Sequence, residues 1–190
     1  TKSNLFKETL EGIRYAIQNK SLLTLFGFSL VMEAFGFAFL VMIPIMAKNI
    51  LMVGAMGMGL MQAGTGIGMV FANLTMATFG DRFNKPKVIL VNALFAGIAL
   101  LGFALSKSLL TSIFFATLTM GFLNAYDLTL GALLQLIAPP EMRGRAISLH
   151  SLAISFTSLG GFIMGGIGSI VGVPATLTVA AVAILFHSII

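Results

Sequence analysis

The sequence predicts an all-α membrane protein with six transmembrane helices, and three observations support this fold class. Hydrophobic residues make up 58% of the chain and charged residues only 9%, whereas a soluble domain carries roughly 25% charged residues. The apolar residues form six stretches that approach or exceed the roughly 20 residues a membrane helix needs. The alternating pattern of an outer-membrane barrel is absent, and a long apolar run satisfies its backbone in lipid as a helix. We predict spans at residues 21–47, 54–79, 86–106, 108–137, 143–170 and 172–190.

The distribution of basic residues predicts the orientation. Nine of the eleven Lys and Arg residues fall on one side of the six spans, and only Lys48 and Lys107 fall on the other. The positive-inside rule makes the richer side cytoplasmic. We therefore expect a multi-pass protein of the cell (inner) membrane with both termini in the cytoplasm. The basic charge does not indicate a nucleic-acid partner, because it flanks spans and forms no patch on a soluble domain.

The first twenty residues differ from the spans and predict a separate element. Apolar residues occupy one helical face of residues 1–20 and charged residues the other, which is typical of an amphipathic helix at a membrane surface. We predict a cytoplasmic lead-in helix at 1–20 and a transmembrane domain at 21–190. We do not expect Thr1 to be the natural start of the protein. The chain has no cysteine, and it shows no phosphate loop, nucleotide fingerprint or metal-binding cluster. We therefore expect no cofactor and no metal, and energy from an ion gradient.

Glycines and membrane-embedded acids divide the six spans into two similar halves. The second and fifth spans, with the exit of the fifth, hold twelve of the 21 glycines. Small-residue spacings there allow close approach of helix backbones, and the candidate helix-interface residues are Gly64, Gly68, Gly161 and Gly165. The first and fourth spans each carry one acid, Glu33 and Asp127. The order acidic, glycine-rich, plain occurs twice, which predicts two inverted three-helix repeats, a pattern found in transporters.

The acids are the candidate site. A carboxylate inside the bilayer is costly and indicates function by default. No basic residue lies at the depth of Glu33, so we expect it to handle a proton or a cation, or else to be protonated or hydrogen-bonded in a structural role. Asp127 has polar neighbours, Asn124 and Tyr126, which together suggest a cavity lining. We predict substrate or proton binding at these four residues.

Two loops resemble those of a known protein family. Residues 77–87 resemble the loop between the second and third helices in each half of the major facilitator superfamily. That loop has glycine, three residues, Asp, a basic residue, any residue, glycine and then alternate basic residues. Ala77 and Asn84 replace the glycines, and the matching residues are Asp81, Arg82, Lys85 and Lys87. Residues 139–145, with Arg143 and Arg145, are similar to the Pro-x-x-x-Arg-Gly-Arg stretch that opens the fifth helix of the second half.

The resemblance implies that the chain is the C-terminal half of a twelve-helix facilitator, closest to the bacterial drug and siderophore exporters. It implies alternating-access transport of a small molecule, with proton-coupled export as the expected mode. The partners would be lipid, the substrate, protons and a missing N-terminal half. The six charged loop residues named above would form the conformational-switch loops. The glycine-rich spans would face the other half, and the first and fourth spans would line the cavity.

Two other interpretations remain open at this stage. A six-helix carrier acting as a homodimer fits the same spans. An intramembrane serine protease needs a serine and a histidine on different helices, and the chain offers Ser169 with His150 or His187. The surroundings of Ser169 do not match such a protease, and we interpret both histidines as interfacial residues.

Overall fold

The computed structural model describes residues 19–80 and 82–189 of the chain, and these form six helical segments. Their bounds are Lys20–Ile50, Gly54–Phe79, Lys85–Ala104, Leu109–Ile137, Pro140–Val171 and Val173–His187. We call them the first to sixth spans. The first five are long and apolar enough to cross a membrane, and the sixth is an apolar helix of 15 residues. Within the described ranges, the predicted all-helical membrane fold is confirmed. The predicted lead-in helix lies almost wholly outside them.

The first span is not a uniform helix. It runs as an α-helix over Lys20–Val31, widens into a π-helical turn over Met32–Phe37, resumes at Phe39–Ile45 and ends in a second π turn, Met46–Ile50. Pro44 lies inside the second α-helical part and has no N–H to donate to the preceding turn. Single π turns inside helices occur often at functional sites. The first of these turns contains Glu33.

Short capped connections set the helix directions. Asn84 caps the third span by accepting a hydrogen bond from the Lys87 N–H at 3.3 Å, and Ser108 caps the fourth through the Thr111 N–H at 3.3 Å. Such side-chain acceptors pair amide groups that a helix start leaves free. Gly172, with a φ of 90°, separates the fifth span from the sixth. These brief turns make consecutive spans antiparallel.

The two three-helix repeats interlock through their glycine-rich helices. A Cβ at Gly68 in the second span would collide with the backbone carbonyl of Thr117 in the fourth. A Cβ at Gly160 in the fifth span would collide with the backbone of Ala34 in the first. Contacts advance in the same direction along both helices in each pair, so both pairs are parallel. The glycine-rich helix of each repeat therefore packs against the acidic helix of the other, which is the arrangement that two inverted repeats require.

The core lies among the first, third, fourth and sixth spans. Phe39 and Phe103 meet edge to face with ring centroids 5.8 Å apart, and both are fully buried. The second and fifth spans are the least enclosed helices. Their outward faces carry large apolar side chains, including Ile67, Val70, Phe71, Leu74, Leu159, Phe162, Ile163 and Ile170. In a bilayer such faces need no water, and lipid or another apolar helix can cover them.

Candidate functional site

Glu33 is buried where the first and fifth spans meet. Only 3% of its surface is exposed, and the Thr157 hydroxyl donates a hydrogen bond to its carboxylate. Gly160 lies three residues beyond Thr157, on the same side of the fifth span, and brings the two backbones together at Ala34. The sequence identified Glu33 but not its partner. A hydrogen bond of this kind lowers the cost of burying the carboxyl group.

His150 joins three spans. Its Nε2 lies 3.2 Å from Oδ1 of Asp127 in the fourth span. Its Nδ1 lies 3.3 Å from the Ser29 hydroxyl in the first. The ring of His150 turns inward between these helices, and its interpretation as an interfacial residue stays a prediction. Since it precedes Thr157 by two helical turns, it shares the face that contacts Glu33.

The sequence carried a signal for this face. Residues 150, 153, 157, 160 and 164 recur at helical spacing and read His, Ala, Thr, Gly and Met. Small and polar residues alternate there, and Ala153, Gly160 and Met164 are buried. The stripe marks the side of the fifth span that packs on its neighbours.

Both embedded acids therefore contact polar side chains of the fifth span. Glu33 contacts Thr157, and Asp127 contacts His150. The charges of Asp127 and His150 also lie within electrostatic reach of Glu33. The structure thus brings Glu33 and Asp127 into one cluster, which we call the acid–histidine cluster: Ser29, Glu33, Asp127, His150 and Thr157.

The other two predicted binding residues lie elsewhere. Asn124 donates through Nδ2 to Oδ1 of Asn73 in the second span at 2.8 Å. The Tyr126 hydroxyl lies 3.3 Å from Nε2 of His187 in the sixth span, and both residues are buried. Successive helical residues are about 100° apart, so neighbours in sequence point to different helices. The interpretation of His187 as interfacial stays a prediction as well.

The predicted interface glycines differ in whether a neighbouring helix lies against them. Gly64 and Gly68 face Ile113, Thr117 and Gly121 of the fourth span, inside this six-helix unit. Gly161 faces Val41 of the first span, whereas a Cβ at Gly165 would meet nothing within 4 Å. The contacts of the first three glycines are thus within the unit. The expectation that the glycine-rich spans face another half stays a prediction.

The predicted switch residues gather at the end of the unit where the third and fifth spans begin. Asp81 is outside the described residues. The Arg82 guanidinium lies 5.7 Å from the centre of the Phe79 ring, and Lys85 Nζ donates to the Gly80 carbonyl at 3.3 Å. Lys87 and Arg143 are exposed, and Arg145 contacts the Met142 sulfur at 3.3 Å. Their role as a conformational switch stays a prediction.

A serine, a histidine and an aspartate in contact also raise the question of hydrolysis. Ser29, however, is 2% exposed and lies within an α-helix, where backbone N–H groups are already paired. An acyl-transfer site needs free donors aimed at an oxyanion. Ser169, the serine named from the sequence, donates to the Gly166 carbonyl at 2.7 Å. This geometry favours a buried polar cluster over a hydrolytic site.

Two further features are the arrangement of possible metal ligands and an apolar groove between spans. In the ranges 19–80 and 82–189, no three His, Asp or Glu side chains are arranged to hold a metal ion. An apolar groove between the second, third and fourth spans has a volume of about 270 Å³ and is lined by residues such as Phe71, Phe122 and Asn92. It does not include the acid–histidine cluster.

Comparison with known proteins adds one finding. A family model described as transmembrane secretion effector, belonging to the major facilitator superfamily, matches residues 1–190. The resemblance to this superfamily that the two loops indicated is therefore confirmed. No curated protein matches the chain.

Proposed function

Because the chain belongs to the transmembrane secretion effectors of the major facilitator superfamily, it is a membrane transport protein, and we propose that it moves a small molecule across the bilayer by alternating access. We further propose that transport is proton-coupled export. In this proposal the chain is half of a complete carrier, and Glu33 binds the proton.

The burial of Glu33 carries the proposal. An acid that is 3% exposed inside a span and bonded to one hydroxyl has no permanent cation beside it among the residues the structure describes. Its charge state then depends on whether a proton or a cationic group is present. The surrounding π turn supports a functional role for Glu33, because single π turns inside helices occur often at functional sites.

The exposed faces support the half-carrier proposal. Large apolar side chains cover the outward sides of the second and fifth spans, away from the core of the unit. A second six-helix unit, encoded before Thr1, is the partner we propose for them. The positive-inside rule supports placing the termini in the cytoplasm. A reading frame upstream of Thr1 with six further apolar spans would distinguish this arrangement from a homodimer.

The test uses the complete transporter in everted vesicles with a pH gradient imposed by respiration. A dye whose fluorescence reports the gradient is followed while organic cations and iron chelators are added one at a time. A compound exchanged for protons collapses the gradient and restores the fluorescence. We expect Glu33→Gln to insert normally and to lose this response, and Glu33→Asp to retain part of it.

Glu141→Gln is the matched control, since Glu141 is an exposed carboxylate at the start of the fifth span. It should respond as the wild type does. An undiminished, gradient-driven response in Glu33→Gln would refute the role of Glu33. No response of the wild-type protein to any compound would count against proton-coupled export itself.

A further inference from the structure

Side-chain exposure falls along the acid–histidine cluster from Asp127 to His150 to Glu33. The side chains of Asp127 and His150 are 26% and 14% exposed, and Glu33 is only 3% exposed. His150 precedes Thr157, the partner of Glu33, by seven residues, which is about 10 Å along a helix axis. His150 therefore lies between Glu33 and the end of the unit where the fifth span begins. That end carries the basic loops.

The contacts of the His150 ring favour transferring a proton over storing one. One ring nitrogen faces the Asp127 carboxylate at 3.2 Å, and the other faces the Ser29 hydroxyl at 3.3 Å. Imidazole can accept a proton at one nitrogen and release one from the other, which is why histidine serves as a proton shuttle. Ser29 precedes Glu33 by four residues and so lies on the same face of the first span, about 6 Å away along the axis.

The titratable groups around the fifth span are few. The first span presents Glu33, the fourth presents Asp127 and Tyr126, and the sixth presents His187. Tyr126 and His187 bond to each other and not to His150. Lys20 lies exposed at the start of the first span. The described titratable groups that act on His150 are thus Asp127 by contact and Glu33 through its charge.

We propose that His150, positioned by Asp127 and Ser29, relays protons between the cytoplasmic end of the unit and Glu33. This inference rests on the proposed function, in which Glu33 is the proton site. In one transfer a protonated water on the side of Asp127 loses an O–H bond as an N–H bond forms at Nε2, and the N–H bond at Nδ1 breaks toward Ser29. The Glu33 carboxylate gains an O–H bond, with the Ser29 hydroxyl or a water passing the proton on. No other covalent bond changes.

Hydrogen–deuterium exchange at Glu33 tests the relay without any substrate. The complete transporter is reconstituted in lipid at acidic pH, and its infrared spectrum is recorded as the sample is moved into D₂O. The band of the protonated Glu33 carboxyl group is identified by its loss in Glu33→Gln. Its shift in D₂O reports how fast the carboxyl proton exchanges with water.

We expect His150→Gln to slow this exchange at least about tenfold, because a positioned acid–base side chain is worth roughly 100-fold or more in proton transfer. Ser29→Ala and Asp127→Asn should slow it as well, and these variants serve if His150→Gln does not fold. His187→Gln, which removes the other histidine of the chain, should leave the exchange rate unchanged.

The outcomes separate the two proposals. Exchange in His150→Gln at the wild-type rate would overturn the relay, and so would equal slowing in His187→Gln. Either result leaves Glu33 as the proton site if its vesicle response is still lost in Glu33→Gln. Slowed exchange in His150→Gln, combined with an unimpaired vesicle response in Glu33→Gln, would instead overturn the proposed function.

Discussion

The glycine contacts allow a prediction with a closely matched control. In the second span a Cβ at Gly68 would collide with the Thr117 carbonyl and lie 3.0 Å from the Gly121 amide nitrogen. A Cβ at Gly66, two residues earlier on the same helix, would meet nothing within 4 Å. Replacing either glycine by alanine thus changes the same chemical group in the same helix and differs only in what that group touches.

The magnitude follows from two opposing effects. Alanine favours a helix over glycine by about 1 kcal/mol, and both variants gain this contribution. Overpacking a tight contact costs typically about 1–3 kcal/mol, and only Gly68→Ala incurs it. The neighbours at Gly68 are backbone atoms, which cannot rotate away. We therefore expect Gly68→Ala to be less stable than Gly66→Ala by about 1–3 kcal/mol.

The assay is unfolding of the purified full-length protein by SDS in mixed micelles, followed by circular dichroism. Gly66→Ala should unfold at or above the SDS fraction that unfolds the wild type, and Gly68→Ala clearly below it. Equal stability of the two variants would refute the close contact between the second and fourth spans. Gly97 is not a suitable control, because it packs against Leu185 of the sixth span.

Three further predictions follow, one from the distribution of basic residues and two from named contacts. The chain has no native cysteine, so single-cysteine variants can be labelled selectively. A membrane-impermeant thiol reagent should label Val171→Cys and not Gly144→Cys in intact cells. Labelling of position 144 would reverse the proposed orientation. A double-mutant cycle of Asn73→Ala and Asn124→Ala, measured by SDS unfolding, should give a coupling of about 1 kcal/mol, whereas additive losses would argue against their hydrogen bond. Thr157→Val should lower the free energy of unfolding by about 1–3 kcal/mol, because it leaves the buried Glu33 acceptor unpaired. Thr157→Ser keeps the hydroxyl and should retain most of the wild-type stability. Equal effects of the two variants would count against the hydrogen bond between Thr157 and Glu33.

The sequence by itself determined the spans and their grouping. Hydropathy acts along one helix at a time, since each apolar run must pair its own backbone in lipid. The second span was predicted at 54–79 and is Gly54–Phe79. The first was predicted to end at 47 but continues to Ile50 through a π turn after Pro44. Residue types also sufficed to predict two inverted repeats, because glycine and buried acids mark a helix whatever its neighbours are.

Only the tertiary structure decided which polar side chains meet. Asn124, Tyr126 and Asp127 are close in sequence, yet they contact three different spans. Their directions follow from helical geometry, but their partners depend on the rotation and axial register of each neighbouring helix. Those quantities are set by side chains packing across whole interfaces, and no local pattern encodes them. His150 shows the consequence: its position near a basic loop did not identify its partners, and only the packing of three helices places it between Asp127 and Ser29.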